Sequence, residues 1–283
     1  MSFLMAPHLT GRRGAPFSIE GGVCTFVGEN RVCTFLTSAQ MIVTGEGLID
    51  YLIVGGGGGN NNVPSYGGGG AGGMVVRNNV IVTAGTYNVT VGAGVRGHGE
   101  NSSILNVIGD TQLNDLSIAT GGGSPFPTPE FPDGGPQPAP HRNGGSGCGG
   151  VPPFPGEGTV GQGNDGGNGA RSGEGASFGG GGGAGGIGGN SSSPPRRSPG
   201  TRAGGTGGVG LENNFRDGTN VFYAGGGTGN ASSEGQFYAS DPPAQGGGGA
   251  GGGAGGAGQP NTGGGGAGGT GGSGIVVVRY TPS

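Results

Sequence analysis

Eight aromatic residues, Phe126, Phe131, Phe154, Phe215, Phe222, Tyr223, Phe237 and Tyr238, lie in polar or proline-rich inserts between runs of glycine. Aromatic rings in such settings suit two roles. One is packing: they seal the ends of glycine segments or meet another subunit. The other is contact with a receptor, since exposed aromatics mark binding surfaces. Catalytic chemistry is poorly represented. His8, His98 and His141 stand in unlike contexts, and the acidic residues are scattered, with Glu157, Asp165 and Glu174 forming no spaced pair. Gly92-Ala93-Gly94-Val95-Arg96-Gly97 imitates a dinucleotide fingerprint, but no helical pattern follows it. Asn88, Asn101, Asn190 and Asn230 open Asn-x-Ser/Thr sequons that read as chance. Arg196, Arg197 and Arg202 read as a solvated loop. The residues call for no metal, no cofactor and no enzymatic activity.

The elements that must position the aromatics are unusual. Of 283 residues 83 are glycine, and most of these fall between about 121 and 274. Runs at 179–183, 225–227, 246–249 and 263–266 are preceded by two others at 55–59 and 67–70. Collagen requires glycine at every third position without a break, which this chain lacks. Disorder is the reading that composition alone favours. An ordered alternative is a bundle of polyglycine II helices, extended and threefold, whose N–H and C=O groups pair laterally. Backbone ordering costs about 1–2 kcal/mol per residue. A hydrogen bond returns about 0.5–1.5 kcal/mol. Such a bundle therefore needs a folded module to clamp it.

Apolar strand-like sequence supplies that module. Val23–Val27 and Arg31–Leu36 flank Gly28-Glu29-Asn30, which reads as a three-residue hairpin loop. In that register Cys24 and Cys33 are not directly opposite. With Cys148 they read as small strand residues, too few and too scattered for a disulfide framework or zinc site. Further strands are expected at 40–44, 48–54, 74–77, 79–83, 86–91, 103–108 and 116–119, and again at 275–280. The inserts after Gly121 read as surface loops. The net charge of −4 and a pI near 5.3 argue against nucleic acid as a partner. All 12 basic residues are Arg. No run reaches the ~18 apolar residues of a membrane-spanning helix. The N-terminal segment has its apolar residues before Arg12-Arg13, the reverse of a signal peptide.

An ordered series of motifs adds a resemblance. Cys33-Thr34-Phe35-Leu36-Thr37-Ser38 is followed by Ile49-Asp50-Tyr51-Leu52-Ile53-Val54-Gly55-Gly56-Gly57. Then come Gly70-Ala71-Gly72-Gly73-Met74, Tyr87-Asn88-Val89-Thr90-Val91-Gly92-Ala93-Gly94 and Ala119-Thr120-Gly121-Gly122-Gly123. The chain closes on Gly271-Gly272-Ser273-Gly274-Ile275-Val276-Val277-Val278-Arg279-Tyr280. From residue 18 onward this resembles the glycine-rich domain of bacteriophage tail-fibre and tail-tip virion proteins.

The resemblance implies an all-β chain: a small antiparallel, jelly-roll-like β-sandwich with a large polyglycine II bundle inserted before the last strand. The expected division is an arm at 1–17, a sandwich at 18–120 plus 274–283, and the bundle at 121–273. The expected role is that of an adhesin at a tail fibre or tail tip on the virion surface. It would contact a host cell-surface protein or glycan through the eight aromatics and the loops at 124–143, 190–203, 211–224 and 230–245. Other virion proteins are expected partners, and a homotrimer the expected assembly, with no nucleic acid and no membrane span. The alternative is a capsid or tail decoration (cement) protein with a purely structural role. An ice-binding protein ranks last, because rows of Ala or Thr at every third position are interrupted.

Overall fold

The computed structural model describes residues 15–59, 67–95, 109–125, 142–150, 154–172, 175–192, 203–233, 236–238 and 256–282. The described chain is all-β. One sheet holds β1 (Ser18–Glu20), β4 (Ala39–Thr44), β7 (Gly85–Thr90), β8 (Thr111–Leu113) and β9 (Ser117–Ala119), in that order. The second holds β2 (Val23–Val27), β3 (Asn30–Phe35), β16 (Ile275–Tyr280), β5 (Gly47–Val54) and β6 (Met74–Val82). Every pairing in both sheets is antiparallel.

The two sheets bury one apolar layer between them, including Ile19, Phe35, Met41, Tyr51, Val89, Leu113, Val276 and Val278. Tyr51–Val54 of β5 and Ile275–Val278 of β16 read as continuous apolar runs because this part of the second sheet is covered on both faces. Ile53, Val276 and Val278 point into the sandwich, whereas Leu52, Val54, Ile275 and Val277 join a separate cluster with Phe215, Tyr223 and Ala224. That is the period-2 alternation of a strand with two dry sides. Phe17, expected in the irregular arm, belongs to the first core and meets the Tyr280 ring edge-on at 5.1 Å.

The β2–β3 hairpin corrects the expected cysteine reading. Val27 pairs with Asn30, so the loop is two residues, with Gly28 at φ 60 in its first position. Shortening the loop by one residue sets Cys24 directly opposite Cys33, Cα–Cα 4.0 Å, and the two form a disulfide. The segments expected as separate strands at 74–77 and 79–83 are one strand. Asn79, at φ 56, donates its N–H to Asp50 Oδ1 where the register against β5 shifts. The expected strand at 103–108 lies outside the described residues.

Glycine makes the second body, and it begins earlier than position 121. Gly55–Gly59 leave β5 and Gly67–Gly73 return to β6 as part of it. Along 68–73 the direction of donation repeats every third residue. Gly68 and Ala71 donate to Gly179 and Gly182, Gly69 and Gly72 to Gly266 and Gly263, and Gly70 and Gly73 to Gly123 and Thr120. The carbonyls of the same segment accept from Gly149 and Ser146, from Gly58 and Gly55, and from Gly227. Residues 179–184 repeat the pattern, donating to 150 and 147, to 189 and 186, and to 227 and 224. A Cβ built on Gly68, Gly69 or Gly70 falls within contact distance of a neighbouring carbonyl oxygen. Glycine is therefore needed there for close approach.

Candidate binding surface

The segments of the glycine body run between two ends, and the hydrogen-bond register orders them. At the end beside the sandwich, Gln162 donates to the Ile118 carbonyl, while its Oε1 accepts from Thr120 N–H and its own carbonyl from Met74 N–H. Asn164 Nδ2 donates to the Gly183 and Ala184 carbonyls in the next turn. Asp110 accepts the Gly121 N–H at 2.8 Å, and Thr111 Oγ1 accepts the Gly92 N–H. Burial raises the Asp110 pKa, the Gly121 hydrogen bond partly opposing it.

The insert at 211–224 also belongs to this near end. It was expected as a loop, yet β12 (Leu211–Asn213) and β13 (Val221–Tyr223) form a hairpin. Val-Phe-Tyr is strong strand sequence. Its turn, tied by Asp217 accepting from Thr219 N–H and Oγ1, brings Phe215 onto the second sheet. Those two hydrogen bonds hold the Asp217 pKa below its ordinary value. Phe215 is 7% exposed, and Arg279 lies over its ring at 4.1 Å while pairing with Asp50 at 2.7 Å. Tyr223 is fully buried, and that burial raises its pKa. Both residues pack within the chain, and Phe222 beside them is half-buried.

At the far end the body gives way to the remaining inserts. Gly59 N–H meets Ser124 Oγ there, Gly68 meets Gly179, and Gly179 meets Gly150. Phe178 meets Asn230 and Gly205, and Ser192 bridges Ala203. A small sheet is built from two insert hairpins: β10 (Ala170–Ser172) with β11 (Gly175–Ser177), and β14 (Ala231–Ser233) with β15 (Gln236–Tyr238). Its joint is the β11–β14 pairing, Ala176 opposite Ser232. Phe237 and Tyr238 lie on β15, opposite Ser232 and Ala231.

Phe154 is also at this end and is 40% exposed. The Arg142 guanidinium sits 5.6 Å from its ring centre and donates to the Pro155 carbonyl. Behind them Cys148 is buried as a free thiol, its pKa pushed up to about 12 by burial against the opposing pull of Arg142. The thiol is therefore neutral and chemically quiet.

The structure thus separates the expected aromatics. Phe154, Phe237 and Tyr238 are at the far end, and Phe215, Phe222 and Tyr223 at the near end. Phe126 and Phe131 lie outside the described residues. Sequence reasoning missed Gln162, Asn164 and Arg142, single polar residues in glycine-rich surroundings with no spacing to mark them. Among the described residues no three His, Cys, Asp or Glu side chains group as a metal site. No described helix is long and apolar enough to cross a membrane.

Two antiparallel sheets clamping a laterally bonded glycine body define a class of all-β, glycine-rich protein. The family model of the glycine-rich domain matches residues 34–281, and the chain belongs to that family. No curated protein matches the chain. No solved structure matches it either.

Proposed function

We propose that this protein is a bacteriophage virion surface protein, an adhesin of a tail fibre or tail tip. It binds a host cell-surface protein or glycan through the inserts at the far end of its glycine body. The observation that carries the reading is the polarity of that body. The β10–β11 and β14–β15 hairpins lie at the end away from the sandwich, whereas the β12–β13 hairpin packs on the second sheet; in this reading the sandwich faces other virion proteins. Threefold donation along 68–73 and 179–184 supports a polyglycine II bundle as a stiff frame, and loops on a rigid frame are a common binding design. The Cys24–Cys33 disulfide fits a virion surface, where such bonds persist. The activity is binding, not catalysis.

The test replaces Phe154, Phe237 and Tyr238 by Ala together. Hot-spot aromatics each contribute about 2 kcal/mol or more, so adsorption to host cells should fall at least roughly 30-fold while particles still assemble. Normal adsorption by the triple variant would refute the adhesin reading. The decoration role has one observation in its favour: Phe215 and Tyr223 serve internal packing. Immunogold label spread over the head, not gathered at the tail tip, would support it.

A further inference from the structure

Four strands end the two main sheets, and three of them are guarded against strand pairing. β1 and β9 are three residues long. β6 carries Arg77 and the register shift at Asn79. β2 is unguarded. Its five residues, Val-Cys-Thr-Phe-Val, have no charge, no proline and no bulge. Natural edges normally carry one of these devices, because an open edge is a template for another strand. Against the described residues Val23 is 67% exposed and Phe26 69%, so both side chains are open to a partner at this edge.

The open groups on β2 follow from register. The two-residue loop makes Val27–Asn30 a hydrogen-bonded pair, and alternation makes Thr25–Val32 and Val23–Thr34 the next ones. Cys24 and Phe26 therefore turn their N–H and C=O groups away from β3. We infer that β2 pairs antiparallel with β2 of a second copy of this chain, on a twofold axis through Thr25. In that register Cys24 of each copy meets Phe26 of the other as a hydrogen-bonded pair, so all the outward groups find partners. Val23 faces Val27, Thr25 faces Thr25, and the disulfide sulfur of one copy lies beside the Phe26 ring of the other. Thr–Thr and apolar cross-strand pairs are favourable, as are sulfur–aromatic contacts. Gly28 falls opposite Gly22, and neither glycine brings a side chain to the strand ends; a Cβ built at Gly28 would meet nothing within 4 Å. The two five-stranded sheets become one. A like-with-like edge closes at two copies, not at the three the resemblance implies. This pairing is independent of the far-end inserts and of the receptor reading.

Sedimentation velocity of the full chain from about 5 to about 500 μM spans the range of small interfaces. The expected result is a reversible shift from one copy to two. Phe26→Pro removes an outward N–H, a loss an edge strand tolerates, together with the exposed ring, and Phe26→Glu adds a charge. Each should weaken the dimer at least tenfold while leaving the thermal melt of the monomer in place. Thr25→Cys should give a covalent dimer linked 25 to 25 under mild oxidant, because the axis brings this position against itself. Gly28→Cys should not. A monomer at every concentration overturns the proposal, as does a dimer that both Phe26 variants leave unchanged. So does a monomer that dimerises only when residues 1–14 are removed, since the chain would then be covering its own edge.

Discussion

Asp110 stands at the seam between β8 and the glycine body, where its carboxylate is half-buried and accepts the Gly121 N–H. Its raised pKa fixes the sign of a pH effect. The folded chain binds the proton more tightly than the unfolded chain. Asp110 thus weakens the fold as pH rises from the ordinary aspartate range through its own folded pKa. Asp110→Asn keeps an oxygen to accept from Gly121 and removes the charge. At pH 7 the variant should melt at a higher temperature than the parent, and the gap should close once the solution is acidified below the ordinary aspartate pKa. Melting curves at several pH values check this, and a destabilised variant at pH 7 would contradict it.

At the scale of elements, the glycine segments and the β2–β3 hairpin make separable predictions. Gly181→Ala drives a Cβ into the Gly69 carbonyl inside the body, and forced overpacking costs about 1–3 kcal/mol. Gly85→Ala on β7 meets nothing closer than 3.9 Å, and should leave stability equal or slightly raised because alanine restricts the unfolded chain. Chemical denaturation of the two variants separates close approach from simple glycine content. Reduction of the Cys24–Cys33 bond, with a sequence separation of 9, should cost about 2–3 kcal/mol in the loop-closure account. Melting with and without reductant measures it.

These elements also show what the sequence disclosed. Strands were legible at 40–44, at 48–54 from its apolar run, and at 86–91 from alternation. The apolar runs at Tyr51–Val54 and Ile275–Val278 marked strands on either side of the glycine field. The hairpin loop was misjudged by one residue, since turn composition does not say whether Asn30 belongs to the loop or to β3. That single residue decided whether the cysteines met. The hairpin at 211–223 was hidden by its polar flanks, and with it the fate of Phe215 and Tyr223. The far-end sheet joins segments some sixty positions apart, Ala176 to Ser232, and local pattern carries no trace of such a pairing.

Across the whole molecule two bodies are held by different means. The sandwich rests on apolar packing, with the Phe17–Tyr280 contact fastening its first described residues to its last strand. The glycine body rests on peptide groups paired with peptide groups, segment 68–73 being ringed by neighbours that take its N–H groups and others that donate to its carbonyls. That body must be clamped by the sandwich, because paired peptides only just offset the entropy of ordering them.

The ring of peptide partners around 68–73 has a thermal consequence. Unfolding a sandwich exposes hydrocarbon and raises the heat capacity; unfolding packed glycine exposes mainly amide surface, which lowers it. The increment for the whole chain should therefore fall well below the ~12–15 cal/mol/K per residue of ordinary globular proteins, and scanning calorimetry would read it directly. A value at or above that range would contradict a body without hydrocarbon. A small increment flattens the curve of stability against temperature, so a chain built in this way loses little of its margin in the cold.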